Sequence, residues 1–152
     1  IQNFNPFVKE QIQLMFQANS GFPLKPIQSA ISGGERSRVM LSVKKIMAEN
    51  AELPTLILDE IDTGVSGKVA EEMGNVMREM SENMQLIVIT HLAQVAAKGN
   101  NNYKVMKDDV SGKTQSSILP LNDDQKLQEI AQLLSGSKIT DAAISQAQEL
   151  MK

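Results

Sequence analysis

Two adjacent acids, Asp59 and Glu60, end the apolar run Leu56-Ile57-Leu58, and the single histidine, His91, ends a second run, Ile87-Val88-Ile89-Thr90. If both runs are strands of a parallel sheet, these side chains stand at its carboxyl edge, where open α/β folds bind ligands. One carboxylate there can hold the water shell of Mg²⁺, an ion that prefers one or two carboxylates together with phosphate oxygens. The other can polarise a water for in-line attack on a γ-phosphate. A neutral imidazole can contact that phosphate and the attacking water. A third group, Ser32-Gly33-Gly34-Glu35, has the composition of a helix start. Ser is a good N-cap, and glycines let the exposed N–H groups at the positive end of a helix approach an anion. Taken singly, each has a plainer reading: solvated acids at a strand end, an ordinary histidine, a capped helix.

The elements that would position these residues are legible from periodicity. Residues 11–17 alternate weakly and predict a strand; Asn19-Ser20-Gly21, Pro23 and Pro26 predict a loop. A helix is expected from Gly33-Gly34 to about Asn50, with Val39, Val43, Ile46 and Met47 on its apolar stripe. The short run 55–58 suits a strand buried on both faces of a parallel sheet. A turn-rich loop from Asp62 to Gly67 leads into an amphipathic helix with Val69, Met73, Val76, Met77 and Met80 on one stripe. Leu86 to Thr90 is a second strand, so strand, helix and strand form a βαβ unit. Residues 103–107 and 114–119 read as a hairpin around the turn 108–113. Two helices close the chain. The first carries Leu127, Ile130, Ala131 and Leu134 and stops at Gly136; the second is capped by Thr140 and carries Ile144, Ala147 and Leu150. The fold class is α/β, and 1–152 is read as one domain with a C-terminal helical appendage.

Composition narrows the chemistry. A chain of 152 residues can bury a real core, but with 3% aromatics and nine Met that core must be aliphatic and Met-rich. The absence of Cys excludes disulfides and thiolate metal sites, and one His excludes a multi-histidine site. A net charge of −3 gives no bulk signal for direct DNA contact, and Lys44-Lys45 reads as a solvated helix face. No stretch has the ~20 apolar residues of a membrane span, and no signal peptide is visible, so a cytoplasmic protein is expected. No Gly-x-x-x-x-Gly-Lys-Ser/Thr phosphate loop occurs. Together with an Ile at position 1, that absence suggests a piece of a longer protein. A Rossmann-type oxidoreductase is disfavoured because no Gly-x-Gly-x-x-Gly follows a strand.

The joint order is more specific than its parts. Ser-Gly-Gly-Glu at a helix start, Asp-Glu at a strand end, Asp62 in the next turn and His at the following strand end resemble the signature, Walker B, D-loop and switch elements of ABC-type ATPases. The stretches 32–41, 59–67 (Asp-Glu-Ile-Asp-Thr-Gly-Val-Ser-Gly) and 89–96 (Ile-Thr-His-Leu-x-Gln-Val-Ala) resemble the RecN family, SMC-like ATPases of bacterial DNA repair. Phe16-x-Ala-Asn-x-Gly and Leu134-Ser-Gly-x-x-Ile-Thr extend the resemblance toward both ends, and Arg36 departs from it where an apolar residue is more usual.

The resemblance implies the C-terminal lobe of an ATPase head, with the phosphate-loop (Walker A) lobe and a long coiled coil outside this chain. It implies ATP and Mg²⁺ as ligands. In cis, Asp59 would hold Mg²⁺ through water, Glu60 would act as base and His91 as switch. In trans, Ser32, Gly33, Gly34 and Glu35 would contact the ATP of a second head in a homodimer, with Asp62 of the D-loop near the seam. Partners are then the Walker A lobe, the second head and DNA, in a nucleoid-associated ATPase acting on double-strand breaks, with this lobe inactive alone. Two other readings are the nucleotide-binding subunit of a transporter, disfavoured by the Asp-Thr-Gly turn, and a non-catalytic dimerisation module.

Overall fold

The computed structural model describes residues 13–17, 20–110, 113–136 and 138–152. The chain opens with two short antiparallel strands, β1 (Met15–Phe16) and β2 (Lys25–Pro26), and a single helical turn, α1 (Ile27–Ala30). The expected strand over 11–17 is thus two residues long where it can be described, and the expected loop ends in a strand and a helical turn. Pro26, with φ −51° and ψ 131°, precedes α1 as its N-cap residue.

Helix α2 (Gly33–Asn50) has the expected limits. Its inner face is different from the expected stripe. Ser37, Leu41 and Ala48 are buried, whereas Val43, Ile46 and Met47 are exposed. Apolar residues at 39, 40, 41, 43, 46, 47 and 48 nearly encircle this helix, so periodicity alone could not choose the face that docks. Lys45 is only partly solvated. Its Nζ lies 2.7 Å from Glu79 and 3.7 Å from Glu49, which ties α2 to the next helix. The carboxylates hold its pKa above the ordinary lysine value, the hydrogen bond with Glu79 being the largest cause.

Strand β3 (Thr55–Asp59), helix α3 (Gly67–Met80) and strand β4 (Gln85–Ile89) form the predicted βαβ unit, and the two strands pair in parallel from Thr55↔Gln85 to Asp59↔Ile89. Met73, Met77 and Met80 of α3 are buried with Leu41, Leu58, Ile61 and Val65, the Met-rich core expected from composition. The strands are covered on one face only. Leu56, Leu58, Leu86 and Val88 face this core, while Ile57, Ile87 and Ile89 point the other way and stay exposed. The expectation of burial on both faces therefore fails within this chain.

A short helix, α4 (Ala93–Ala96), precedes the hairpin β5 (Tyr103–Val110) and β6 (Lys113–Pro120). The hairpin strands run further than expected, to 110 and from 113; positions 111 and 112 of the expected turn lie outside the described residues. Helices α5 (Asp123–Ser135) and α6 (Asp141–Leu150) pack through alanines, and Ala131, Ala143 and Ala147 join Ile130, Ala93 and Ala97 in a second core. The caps are as read from sequence. Gly136 ends α5 at φ 75°, a left-handed turn that glycine adopts without strain, and Thr140 Oγ1 accepts the Ala143 N–H at 3.2 Å. Lys126 of α5 donates to the Gly99 carbonyl at 2.6 Å, and burial holds its pKa below the ordinary lysine value. No helix of the described residues is long and apolar enough to cross a membrane.

Candidate active site

The register Asp59↔Ile89 aligns the carboxyl ends of β3 and β4. Asp59, Glu60 and His91 therefore leave the sheet at one edge, as their positions after apolar runs predicted. All three are exposed, and the Asp59 carboxylate is a hard oxygen donor. The edge is open; two shallow cavities of about 320 and 300 Å³ lie elsewhere, one beside Leu53 and Pro54, the other beside Lys104 and Leu119.

Glu60 has a φ of 54°. Only Glu52, at 48°, shares that left-handed region among the described non-glycine residues. Such a backbone costs a non-glycine residue on the order of 1–3 kcal/mol and persists only when neighbours hold it. Here the Glu60 carbonyl accepts the Thr63 hydroxyl at 3.0 Å and the Thr63 N–H at 3.4 Å. The sequence gives no sign of this strain.

Asp62 does not share the exposure of its neighbours. It is 1% exposed, and its Oδ2 accepts a hydrogen bond from the Thr90 hydroxyl. Thr90 Oγ1 in turn accepts the Leu92 N–H at 3.0 Å. The imidazole Nδ1 of His91 lies 3.9 Å from Asp62 Oδ1, while the ring itself is 75% exposed. The buried carboxylate thus stands behind the histidine with its other oxygen satisfied by Thr90. Thr90 was not among the residues singled out by sequence; its position just before His91 was the available signal.

At the start of α2, Ser32 and Glu35 form a reciprocal capping box. Glu35 Oε2 accepts the Ser32 N–H at 2.9 Å and the Ser32 hydroxyl at 2.7 Å, and Ser32 Oγ accepts the Glu35 N–H at 3.4 Å. The backbone bond from Ser32 is the main reason that the Glu35 carboxyl titrates below its ordinary range. Both side chains are thereby engaged with each other, and the anion-binding capacity of this turn falls to the Gly33 and Gly34 amides, which have no carbonyl in the preceding turn.

The helix start also abuts the loop after β3. A β-carbon on Gly34 would lie 2.6 Å from the Gly64 carbonyl oxygen, and Ser37 Oγ donates to the Thr63 carbonyl at 2.7 Å. Ser32–Glu35 and the residues 60–65 are accordingly neighbours within one chain. Among the described residues no group of three or more His, Asp or Glu could hold a metal ion.

No family model matches the chain. It is 38% identical to the DNA repair protein RecN of Vibrio cholerae over 147 residues, covering 97% of this chain and 26% of that protein. The corresponding values are 37% identity, 93% and 24% for RecN of Bacillus subtilis, and 39%, 92% and 24% for RecN of Deinococcus radiodurans. The chain spans about a quarter of the length of these relatives. Among solved structures, it superposes on the SMC head domain of Thermotoga maritima with TM-score 0.52 and 29% identity, covering 67% of this chain and 37% of that one. It superposes on the head domain of an Smc protein with coiled coil and joint from Pyrococcus yayanosii with TM-score 0.60 and 24% identity, covering 71% and 20%. With relatedness sustained over nearly its whole length, the chain belongs to the RecN family, as a C-terminal portion of its members, and has the fold of part of an SMC head domain.

Proposed function

We propose that this chain is the C-terminal lobe of a RecN-type ATPase head that hydrolyses ATP during repair of DNA breaks. The observation that carries the proposal is the Asp59↔Ile89 register, which sets Asp59, Glu60 and His91 at one sheet edge. In this reading Glu60 is the base that takes a proton from the attacking water, and His91 orients that water and the γ-phosphate. Asp62 holds the loop and backs His91. Asp59 would hold Mg²⁺ through its water shell, and the ion would neutralise phosphate charge. The Gly33 and Gly34 amides, at the positive end of α2, meet the nucleotide of a second head, with Ser32 and Glu35 shaping the turn that presents them.

The open face carrying Ile57, Ile87 and Ile89 is assigned to the lobe bearing the phosphate loop, which this sequence lacks. Dimerisation of two heads around ATP, a cytoplasmic site on the nucleoid and engagement of DNA belong to the same proposal. Relatives named as DNA repair proteins support it over a transporter subunit.

The test is Glu60→Gln in the full-length protein. It should bind ATP, accumulate as a dimer and hydrolyse about a hundredfold more slowly. Unchanged turnover would remove Glu60 from the role of base. Retention of DNA repair by a protein lacking all three of Asp59, Glu60 and His91 would favour the non-catalytic dimerisation module.

A further inference from the structure

Among the described residues two polar side chains are buried, Ser37 in α2 and Asp62 in the loop after β3. A serine inside a helix ordinarily bonds the carbonyl four residues back. Ser37 keeps that bond at 3.3 Å to Gly33, but its shorter bond, 2.7 Å, crosses to the Thr63 carbonyl. Thr63 passes the constraint on, because its N–H and hydroxyl both donate to the carbonyl of Glu60, the residue held at φ 54°. The Gly34–Gly64 contact closes the same junction, so closely that no β-carbon fits.

We infer that Ser37 is a positioning residue: its hydroxyl fixes Thr63, and through Thr63 the backbone of Glu60, to the first turns of α2. This rests on the function proposed above. There, Glu60 acts on the nucleotide of its own head while the Gly33 and Gly34 amides touch the nucleotide of the other. Ser37 then joins the two contributions of one head into a rigid unit. Movement of the helix start, caused by loss of one γ-phosphate, displaces the base that serves the other.

The experiment compares Ser37→Ala with Ser37→Thr in the full-length protein. Alanine removes the donor; threonine keeps it, and threonine hydroxyls bond helix carbonyls readily. The alanine variant should lose about tenfold in kcat, since small misplacement of a reacting group costs that much or more, with KM for ATP within about twofold. Threonine should restore kcat. Wild-type kcat in the alanine variant, or failure of threonine to restore it, overturns the inference. Amide exchange at Thr63 and Val65 gives a reading independent of turnover. Faster exchange in Ser37→Ala supports the link and unchanged exchange refutes it, even if Glu60→Gln has shown that the ATPase reading itself is wrong.

Discussion

The Thr90 hydroxyl donates to the carboxylate of Asp62, joining the ends of β3 and β4 across 28 positions of sequence. A carboxylate that is 1% exposed has no water to replace this partner. Leaving one buried polar group unpaired costs about 1–3 kcal/mol, and more when it is charged. Thr90→Val, which keeps the shape and removes the donor, should lower unfolding free energy by at least that amount. Thr90→Ser should stay near wild type. Urea denaturation of the three proteins decides it, and coincident midpoints for Val and Ser would dissociate Thr90 from Asp62.

The two glycines of the helix start should respond very differently to alanine. A β-carbon at Gly33 meets nothing within 4 Å, whereas one at Gly34 meets backbone oxygen at 2.6 Å. Backbone cannot swing aside as a flexible side chain can. Gly34→Ala should therefore cost about 1–3 kcal/mol, as overpacking does, and Gly33→Ala should be close to neutral. A stability loss at Gly33 equal to that at Gly34 would contradict the packing described.

The capping box predicts an acid-side dependence of stability. Bonds from Ser32 hold Glu35 below its ordinary pKa of 4.5 in the folded chain. A depressed carboxyl stabilises the fold above its unfolded-state pKa and ceases to as pH falls through the folded value. The contribution of Glu35 should thus begin to fall near pH 4.5 and be lost as pH drops through the lower folded-state value. Glu35→Gln, which can keep both cap bonds without ionising, should flatten the stability curve there. Identical acid slopes for the two proteins would exclude Glu35 as a contributor.

The exposed isoleucines separate this chain from the longer protein. Ile57, Ile87 and Ile89 stay about half exposed in the 152-residue chain and gain little from burial there. Ile87→Thr should therefore change its stability by less than about 0.5 kcal/mol and reduce self-association. In the full-length protein the same change should cost more, up to about 1.5–3 kcal/mol, the value of a fully buried aliphatic side chain. Equal effects in both contexts would mean that the longer protein leaves this face uncovered.

The 152-residue chain should hydrolyse ATP little or not at all, because it has no phosphate loop to cradle the β-phosphate. Turnover near that of the full-length protein would show that the described edge suffices alone.

Sequence was most informative where local chemistry decides conformation. Ser32 and Glu35, Thr140, Gly136 and the apolar runs 55–58 and 86–89 each carry their instruction within a few residues, and the structure follows it. It was least informative where distant partners decide. The docking face of α2 depends on α3, and the fate of Lys45 depends on Glu79. Asp62 could be recognised in its motif, but its burial depends on Thr90. Ser37 looked like any helix serine because Thr63, its partner, is 26 residues away. The left-handed backbone of Glu60 is fixed by a turn that closes after it.

That backbone has an evolutionary consequence. A residue strained by its own side chain is most easily stabilised by glycine, which occupies the left-handed region freely. Selection for heat resistance alone would push position 60 from Glu toward Gly. The gain would come from the same atoms whose carboxylate is proposed to start the reaction, so durability and turnover compete at a single codon.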